Sequence, residues 1–378
     1  MDNSSKLKQA KQLMDGFAAR TGLTAGDASR RYLWTDAFAV QSFFGLSHAL
    51  NSEEYQQRGL QLIDLVHQHL GKFHSKDSRK GWISGLTEDE AKTRPTIAGL
   101  RIGKDLPERK NDESYNSKLE WERDGQYFHY LSRWMITLLQ AFNETKDKKY
   151  LFQAKDLFLA TGKFLYGSGS GLAMYWKMDT KLSRPLVPSM GHHDPLEGLL
   201  CGMSIKNAIF EEDQNLDALI NKFEIMCEGK SWTTPDPLGI GGLLLNTARA
   251  GELQAQGVHM PASVKVQKLY RESLDSLTGL YGFGKDTNPN RRLAFRECGL
   301  SLGLRVITAS KNDIFETSSE EGFKQFYPLA SEIETFWLDK EHRRASTWKD
   351  HLDINAVSLA ASQIAHEAPE VFSGEKSA

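Results

Sequence analysis

Cysteine is nearly missing: Cys201, Cys227 and Cys298 are the three in 378 residues. That is too few, and too scattered, for a disulfide framework or a paired CxxC zinc site. Charge of either sign is not in excess, since 47 Lys+Arg face 49 Asp+Glu for a formal net charge of −2. A nucleic-acid partner would show as a basic stripe or high pI, which this balance lacks. No apolar run is long enough to span a bilayer. The opening MDNSSKLKQAKQL has no apolar core of signal-peptide length. These absences predict a cytoplasmic protein of a reducing compartment, with no membrane and no nucleic-acid partner. Phosphate and dinucleotide loops are also absent. Gly167-Ser168-Gly169-Ser170-Gly171 has no strand before it and no Gly-Lys-Ser/Thr after it. Gly239, Gly241 and Gly242 follow Asp236-Pro237 rather than a strand. There is no HExxH and no Cys/His ligand spacing, so the expectation is no metal and no cofactor.

What the chain does have is apolar spacing near 3.6 residues, over and over. Segment 4–20 puts Leu7, Ala10, Leu13, Met14 and Phe17 on one stripe, the pattern of a surface helix with one buried face. Segment 36–50 differs, because from Ala37 to Leu50 it carries no Asp, Glu, Lys or Arg. A helix apolar nearly all round is buried nearly all round. The two kinds then alternate. Segments 53–70, 147–165, 214–227, 263–279 and 321–337 are amphipathic. Segments 125–143, 195–210, 237–250, 293–309 and 351–365 are mostly apolar. No segment of comparable length alternates at period 2, so a sheet does not organise the fold.

Twelve segments alternating outer and inner make six hairpins. The pattern predicts an all-α fold, one ring of six inner helices wrapped by six outer ones. It resembles the (α/α)6 toroid of the six-hairpin glycosidases and the N-acylglucosamine 2-epimerases over about 20–365. The blocks RYLWTDAFAV, EWERDGQYFHYL, PLVPSMGHHDPLEGL and WKDHLDINA are similar to those of a bacterial family that has this toroid and no assigned activity. A closed toroid implies that 1–378 is a single domain. Residues 71–121 are too many for a hairpin connection and read as an inserted loop region over one mouth. Residues 367–378 read as a flexible tail.

If the inner helices run parallel, their N-termini share one mouth. The residues before them are Trp34-Thr35-Asp36, Trp121-Glu122-Arg123-Asp124, His192-His193-Asp194-Pro195, Trp232 with Asp236-Pro237, Arg291 and Arg292 with Arg296-Glu297, and Trp348-Lys349-Asp350. Asp is a preferred N-cap and Pro suits the first helical turn, so each can be read as helix punctuation. Asp194-Pro195-Leu196-Glu197 even has the acid spacing of a capping box. Their convergence supports a second reading, a concave site lined by carboxylates, Arg and Trp. Indoles stack on the apolar faces of sugars, and carboxylates and Arg bind hydroxyls.

The block from Trp121 to His129 is the densest. Gln126, His129 and Arg133 fall at helical spacing, a polar stripe expected to face a cavity, because burying it unpaired costs about 2–7 kcal/mol per group. Tyr175, Lys177 and Arg184 form a second group with His192, His193 and Asp194. Adjacent His residues do not by themselves make a metal site, but a His beside Asp suits proton transfer. The candidate catalytic residues are therefore Asp124, Asp194, His129 and His193. The candidate binding residues are Trp34, Asp36, Trp121, Glu122, Arg123, Gln126, Tyr175, Lys177, Arg184, His192, Trp232, Asp236, Arg296, Glu297, Trp348 and Asp350. The toroid resemblance implies a carbohydrate-active enzyme on a small saccharide, possibly acidic. One form is a glycoside hydrolase, with Asp124 and Asp194 as the first pair of carboxylates. Another is a sugar 2-epimerase or isomerase moving a proton through His129 and His192 or His193. The third is a sugar-binding protein without catalysis. The sequence sets no oligomeric state.

Overall fold

The structure is a computed structural model, and it describes residues 3–26, 30–209, 211–280, 284, 286–310 and 322–374. Among the described residues there are twelve helices of twelve or more residues. In chain order they are α1 (Asn3–Arg20), α2 (Leu33–Leu50), α3 (Glu53–Leu70), α4 (Phe128–Thr145), α5 (Lys148–Thr161) and α6 (Asp194–Ala208). There follow α7 (Gln214–Cys227), α8 (Pro237–Ala255), α9 (Val266–Thr278), α10 (Ala294–Ala309), α11 (Tyr327–Leu338) and α12 (Leu352–Ile364). Each predicted segment has its helix. Residues 210 and 321, the ends of two predicted segments, lie outside the described residues.

The alternation is visible in burial. Residues 37–46 of α2 are buried without a break, as befits a helix with no charged face. In α9 only Val266, Leu269, Tyr270, Ser273, Ser276 and Leu277 are buried, one stripe at helical spacing. Caps set several starts. Asp147 accepts from Lys149 N at 2.9 Å ahead of α5, and Asp213 accepts from Asn215 N at 3.0 Å ahead of α7. Asp236 accepts from Gly239 N at 3.1 Å, with Pro237 in the first turn of α8.

The chain divides into two compact units. One comprises Met1–Arg20, Gln41–Gly59 and Gly229–Ala378. Within it α8 packs on α10, α10 on α11 and α12, and α12 on α1. The α8–α10 crossing is made by glycine: a Cβ on Gly241 would lie 2.2 Å from the Gly299 carbonyl oxygen, and one on Gly303 2.6 Å from that of Gly241. Residues 367–374 are not tail. Glu370–Ser373 form a helical turn, Val371 and Phe372 are buried, and Gln41 donates to the Val371 carbonyl at 2.9 Å. Apolar Ala368, Val371 and Phe372 gain more from burial than the chain end loses in freedom. Residues 375–378 lie outside the described residues.

Two buried carboxylates organise this unit. Glu334 accepts from Arg305, Ser301, Ser362 and Lys6, and lies 3.6 Å from His366. Glu297 accepts Arg292 through three contacts of 2.6–3.1 Å and the Trp337 indole at 2.7 Å.

The second unit comprises Thr21–Val40 and Leu60–Glu228. Here α4 packs on α5 and α6, and α6 on α7. A small antiparallel sheet joins Gln126–Tyr127, Lys177–Met178 and Pro185–Val187, with Gln126 opposite Met178 and Lys177 opposite Val187. A second pair joins Leu165–Tyr166 to Ala173–Met174. Residues 71–121 are built around short helices at Glu88–Thr93 and Ser117–Glu122. Arg101 anchors them, donating to the carbonyls of Lys72 and His69 at 2.5 and 2.8 Å and to the Asp124 carboxylate.

Candidate active site

The first turns of α4 and α6 meet in the second unit and bring together a compact polar cluster. Glu197 accepts from Arg133 Nη2 at 2.6 Å on one oxygen and from the Ser132 hydroxyl on the other. Burial pushes its carboxyl up, but Arg133 and the Ser132 bond outweigh it and hold Glu197 below the usual range. Asp194, one turn earlier on the same helix, has no such help. Burial first, and the Glu197 charge second, raise it to about 7, opposed by one bond from Gly191 N at 3.0 Å. Two carboxyls on one helical turn are thus driven to opposite protonation states.

His129 opens α4 beside them. The Trp176 indole donates to its Nδ1 at 3.1 Å. Indole N–H is a donor only, so the neutral ring carries its proton on Nε2. Burial lowers the imidazolium to about 4, which keeps it neutral. Aromatic rings surround it: Tyr130 at 4.6 Å, Tyr127 at 5.5 Å and Trp176 at 5.9 Å between ring centres. Trp121 meets Trp176 edge-on at 5.7 Å and is 40% exposed. The Tyr32 and Tyr130 hydroxyls lie 2.7 Å apart.

Of the predicted catalytic residues, Asp194, His129 and His193 fall in or beside this cluster. His193 immediately precedes α6, lies 4.8 Å from the half-turned ring of the exposed His192, and adds to the positive field on Glu197. Asp124 makes other contacts. It is fully buried, bonded to Arg101, Gly103 N and Gly125 N, and ties the inserted loop to the chain ahead of α4. Gln126 is not on α4 and does not face a cavity. It lies in a strand, where its amide donates to the carbonyls of Ala98 and Thr180 at 2.9 and 2.8 Å. The helix starts three residues later than the predicted segment, because extended backbone at Gln126–Tyr127 pairs with Lys177–Met178.

The remaining candidates divide by what they touch. Lys177 is buried, donates to the carbonyls of Glu120 and Arg123, and is lowered by burial to about 8. Asp36 sits in the first turn of α2 and accepts from Tyr32 N at 3.0 Å. Trp34 is buried against Phe38, with ring centres 4.6 Å apart. Glu122 is exposed. Arg123 pairs with Glu113 at 2.6 Å. Tyr175 stacks on Tyr166 at 4.2 Å. Arg184 donates to the Arg109 carbonyl at 2.6 Å.

In the other unit, Trp232 is wholly buried and donates to the Ser263 carbonyl, a packing role. Arg296 pairs with Asp236 at 2.5 Å, leaving that carboxylate both cap and salt-bridge partner. Glu297 is consumed by Arg292 and Trp337, as described. Trp348 is buried and stacks on Trp337 at 5.8 Å. Asp350 is exposed at the end of the short helix Ser346–Lys349.

Sequence reasoning underrates Glu197, read there only as a capping acid, and misses Ser132, Tyr32, Tyr127, Tyr130 and Trp176. Glu197 does not cap: the N-cap of α6 is His193, without a side-chain bond. Lone charges at Arg133 and Glu197 within apolar helices were the available signal, since buried charges come paired. Among the described residues, no three His, Cys, Asp or Glu side chains group to hold a metal. No described helix is long and apolar enough to cross a membrane.

No family model matches the chain, and no curated protein sequence matches it. Solved structures do. An inactive variant of the GH76A alpha-1,6-mannanase of Salegentibacter sp. HEL1_6, two of its aspartates replaced by asparagine, in complex with alpha-1,6-mannotriose, is similar at TM-score 0.55 and 12% identity, over 97% of this chain and 100% of that one. The GH76 alpha-mannanase of Bacteroides thetaiotaomicron is similar at TM-score 0.54 and 12% identity, over 98% and 96%. A sugar epimerase from a ruminal bacterium is similar at TM-score 0.54 and 10% identity, over 96% and 98%. At such identities the likeness shows the fold, and it is the all-α (α/α)6 toroid of six helical hairpins that the alternation predicts.

Proposed function

We propose that the chain is a carbohydrate-active enzyme, a glycoside hydrolase that cleaves a small saccharide with Asp194 and Glu197. The observation that carries this reading is the opposite drive on those two carboxyls. Glycosidic cleavage needs one carboxylic acid to protonate the leaving oxygen and one carboxylate to stabilise or capture the developing cation. Asp194, raised to about 7, holds its proton near neutrality and gives it to the glycosidic oxygen as the C–O bond breaks. Glu197, held ionised by Arg133 and Ser132, faces the positive charge at the anomeric carbon. Water then supplies the hydroxyl, and its proton returns to Asp194. Trp121, Trp176 and Tyr127 offer rings for the apolar faces of the sugar. Asp124 acts through the loop it anchors. The toroid supports the reading, since two of the similar structures are alpha-mannanases. Three cysteines in 378 residues are in keeping with work in a reducing compartment such as a bacterial cytoplasm.

The epimerase reading is weaker at His129, because its Nδ1 is occupied by Trp176 and its Nε2 carries the proton. A ring in that state donates a hydrogen bond and does not abstract a proton. The deciding experiment incubates the protein with neutral and acidic di- and oligosaccharides, followed by reducing ends, and with monosaccharides in deuterated water, followed by exchange at C2. New reducing ends lost in Asp194→Asn are expected. Exchange without cleavage overturns the hydrolase in favour of an epimerase using His192 or His193. Neither, with saturable heat stabilisation by a sugar, leaves a binding protein.

A further inference from the structure

A concavity lies in the same unit, and none of the cluster residues Asp194, Glu197, His129, Ser132 or Arg133 lines it. It is a cleft of about 450 Å³ between residues 76–79, the stretch 107–113 and the turn 179–184. That volume suits one or two sugar rings. Its charge is lopsided. Seven Lys and Arg line it against four Asp and Glu, and the four acids are already engaged. Asp77 and Glu108 both accept from Arg79, and Glu113 pairs with Arg123. Asp179 accepts from the Ser183 backbone and hydroxyl and from Arg184 N.

Of the remaining cations, Arg109 pairs with Glu120 at 3.3 Å, and the other four have no such partner among the described residues. Among the described residues, Lys76, Lys110, Lys181 and Arg184 carry no ion pair, and the buried Nε of Arg184 has no hydrogen-bond acceptor. A buried guanidinium N–H without an acceptor costs about 1–3 kcal/mol or more, because a charged donor is left desolvated. An incoming anion removes that cost. Guanidinium presents a fixed fork to carboxylate and sulfate oxygens, and lysine adds a mobile point charge.

We propose that this cleft is a binding subsite for an anionic sugar, one bearing a carboxylate or a sulfate, with Arg184 and Lys181 as its principal donors. That the anion rides on a saccharide rests on the proposed function; that the site takes an anion rests on the cleft alone. The test uses the full chain in an Asp194→Asn background, so that binding is read without turnover. Calorimetric titration is run with a tri-uronate, a sulfated disaccharide, a neutral trisaccharide and inorganic sulfate, at low and raised salt. The expected result is saturable binding of the tri-uronate or the sulfated disaccharide, weaker binding of the neutral sugar, and loss of affinity with salt. Lys181→Met, at an exposed side chain whose one contact to lose is with the Phe73 ring at 5.9 Å, and Arg184→Met should each weaken binding about tenfold, the loss of roughly one charged hydrogen bond. Equal binding of neutral and acidic sugars, unchanged affinity in both variants, or inorganic sulfate binding as tightly as either sugar would overturn the proposal. Binding of an acidic sugar by a wild-type chain that cleaves nothing would keep the cleft and remove the hydrolase.

Discussion

Two units of one chain bury carboxylates in opposite ways. Glu334 sits among Arg305, Lys6, Ser301 and Ser362, and Glu297 among Arg292 and Trp337. Every oxygen there is met, and removing one partner leaves a bare charge. In the other unit Glu197 is met by Arg133 and Ser132, but Asp194 beside it has, among the described residues, one backbone donor and no cation. Saturation locks helices together. An unsaturated acid one turn from a saturated one retains a proton at neutral pH, and a retained proton is what acid catalysis uses.

The contrast can be broken in order of effect. Asp194→Asn should lower turnover about 10²–10⁴-fold, the usual contribution of a general acid, measured by reducing-end release. Its stability should move the other way. The folded carboxyl binds a proton that the unfolded chain releases between about 4 and about 7. Wild-type stability therefore falls as pH rises through that window, by up to about 4 kcal/mol. The Asn variant should show a flatter profile in urea melts at pH 5 and 8. For the saturated site, Glu334→Ala should cost about 3–5 kcal/mol of stability, while turnover per folded molecule holds. Asp124→Asn should lose about 1–3 kcal/mol through the weakened Arg101 contact. Its turnover should stay within a few-fold; total loss at an unchanged melting temperature would return Asp124 to the chemistry. Smallest, Trp121→Ala should raise KM about 3–10-fold with kcat little altered, since a half-exposed ring adds uniform binding of around 1 kcal/mol.

The twelve helices were legible because burial on all sides and burial on one side leave different apolar patterns, as α2 and α9 show. The α4 start was misread because the strand at Gln126–Tyr127 is only two residues long, too short to leave a period. Asp124 was legible as a candidate acid ahead of a helix but not as Arg101's partner, which lies 23 positions earlier within the inserted stretch. His129 and Asp194 were legible as chemistry-bearing groups at helix starts. The pairing of Arg133 with Glu197 lies 64 residues apart and depends on how α4 packs on α6, which no local pattern encodes.

The indole bond to His129 has a kinetic consequence. With that imidazole kept neutral and Glu197 kept ionised, neither alters its charge around neutrality. Of these three groups Asp194 alone changes charge there: activity should decline along an alkaline limb near pH 7, and His129 should add its own acid limb only at about pH 4, where the imidazole would at last take up a proton and shed its indole.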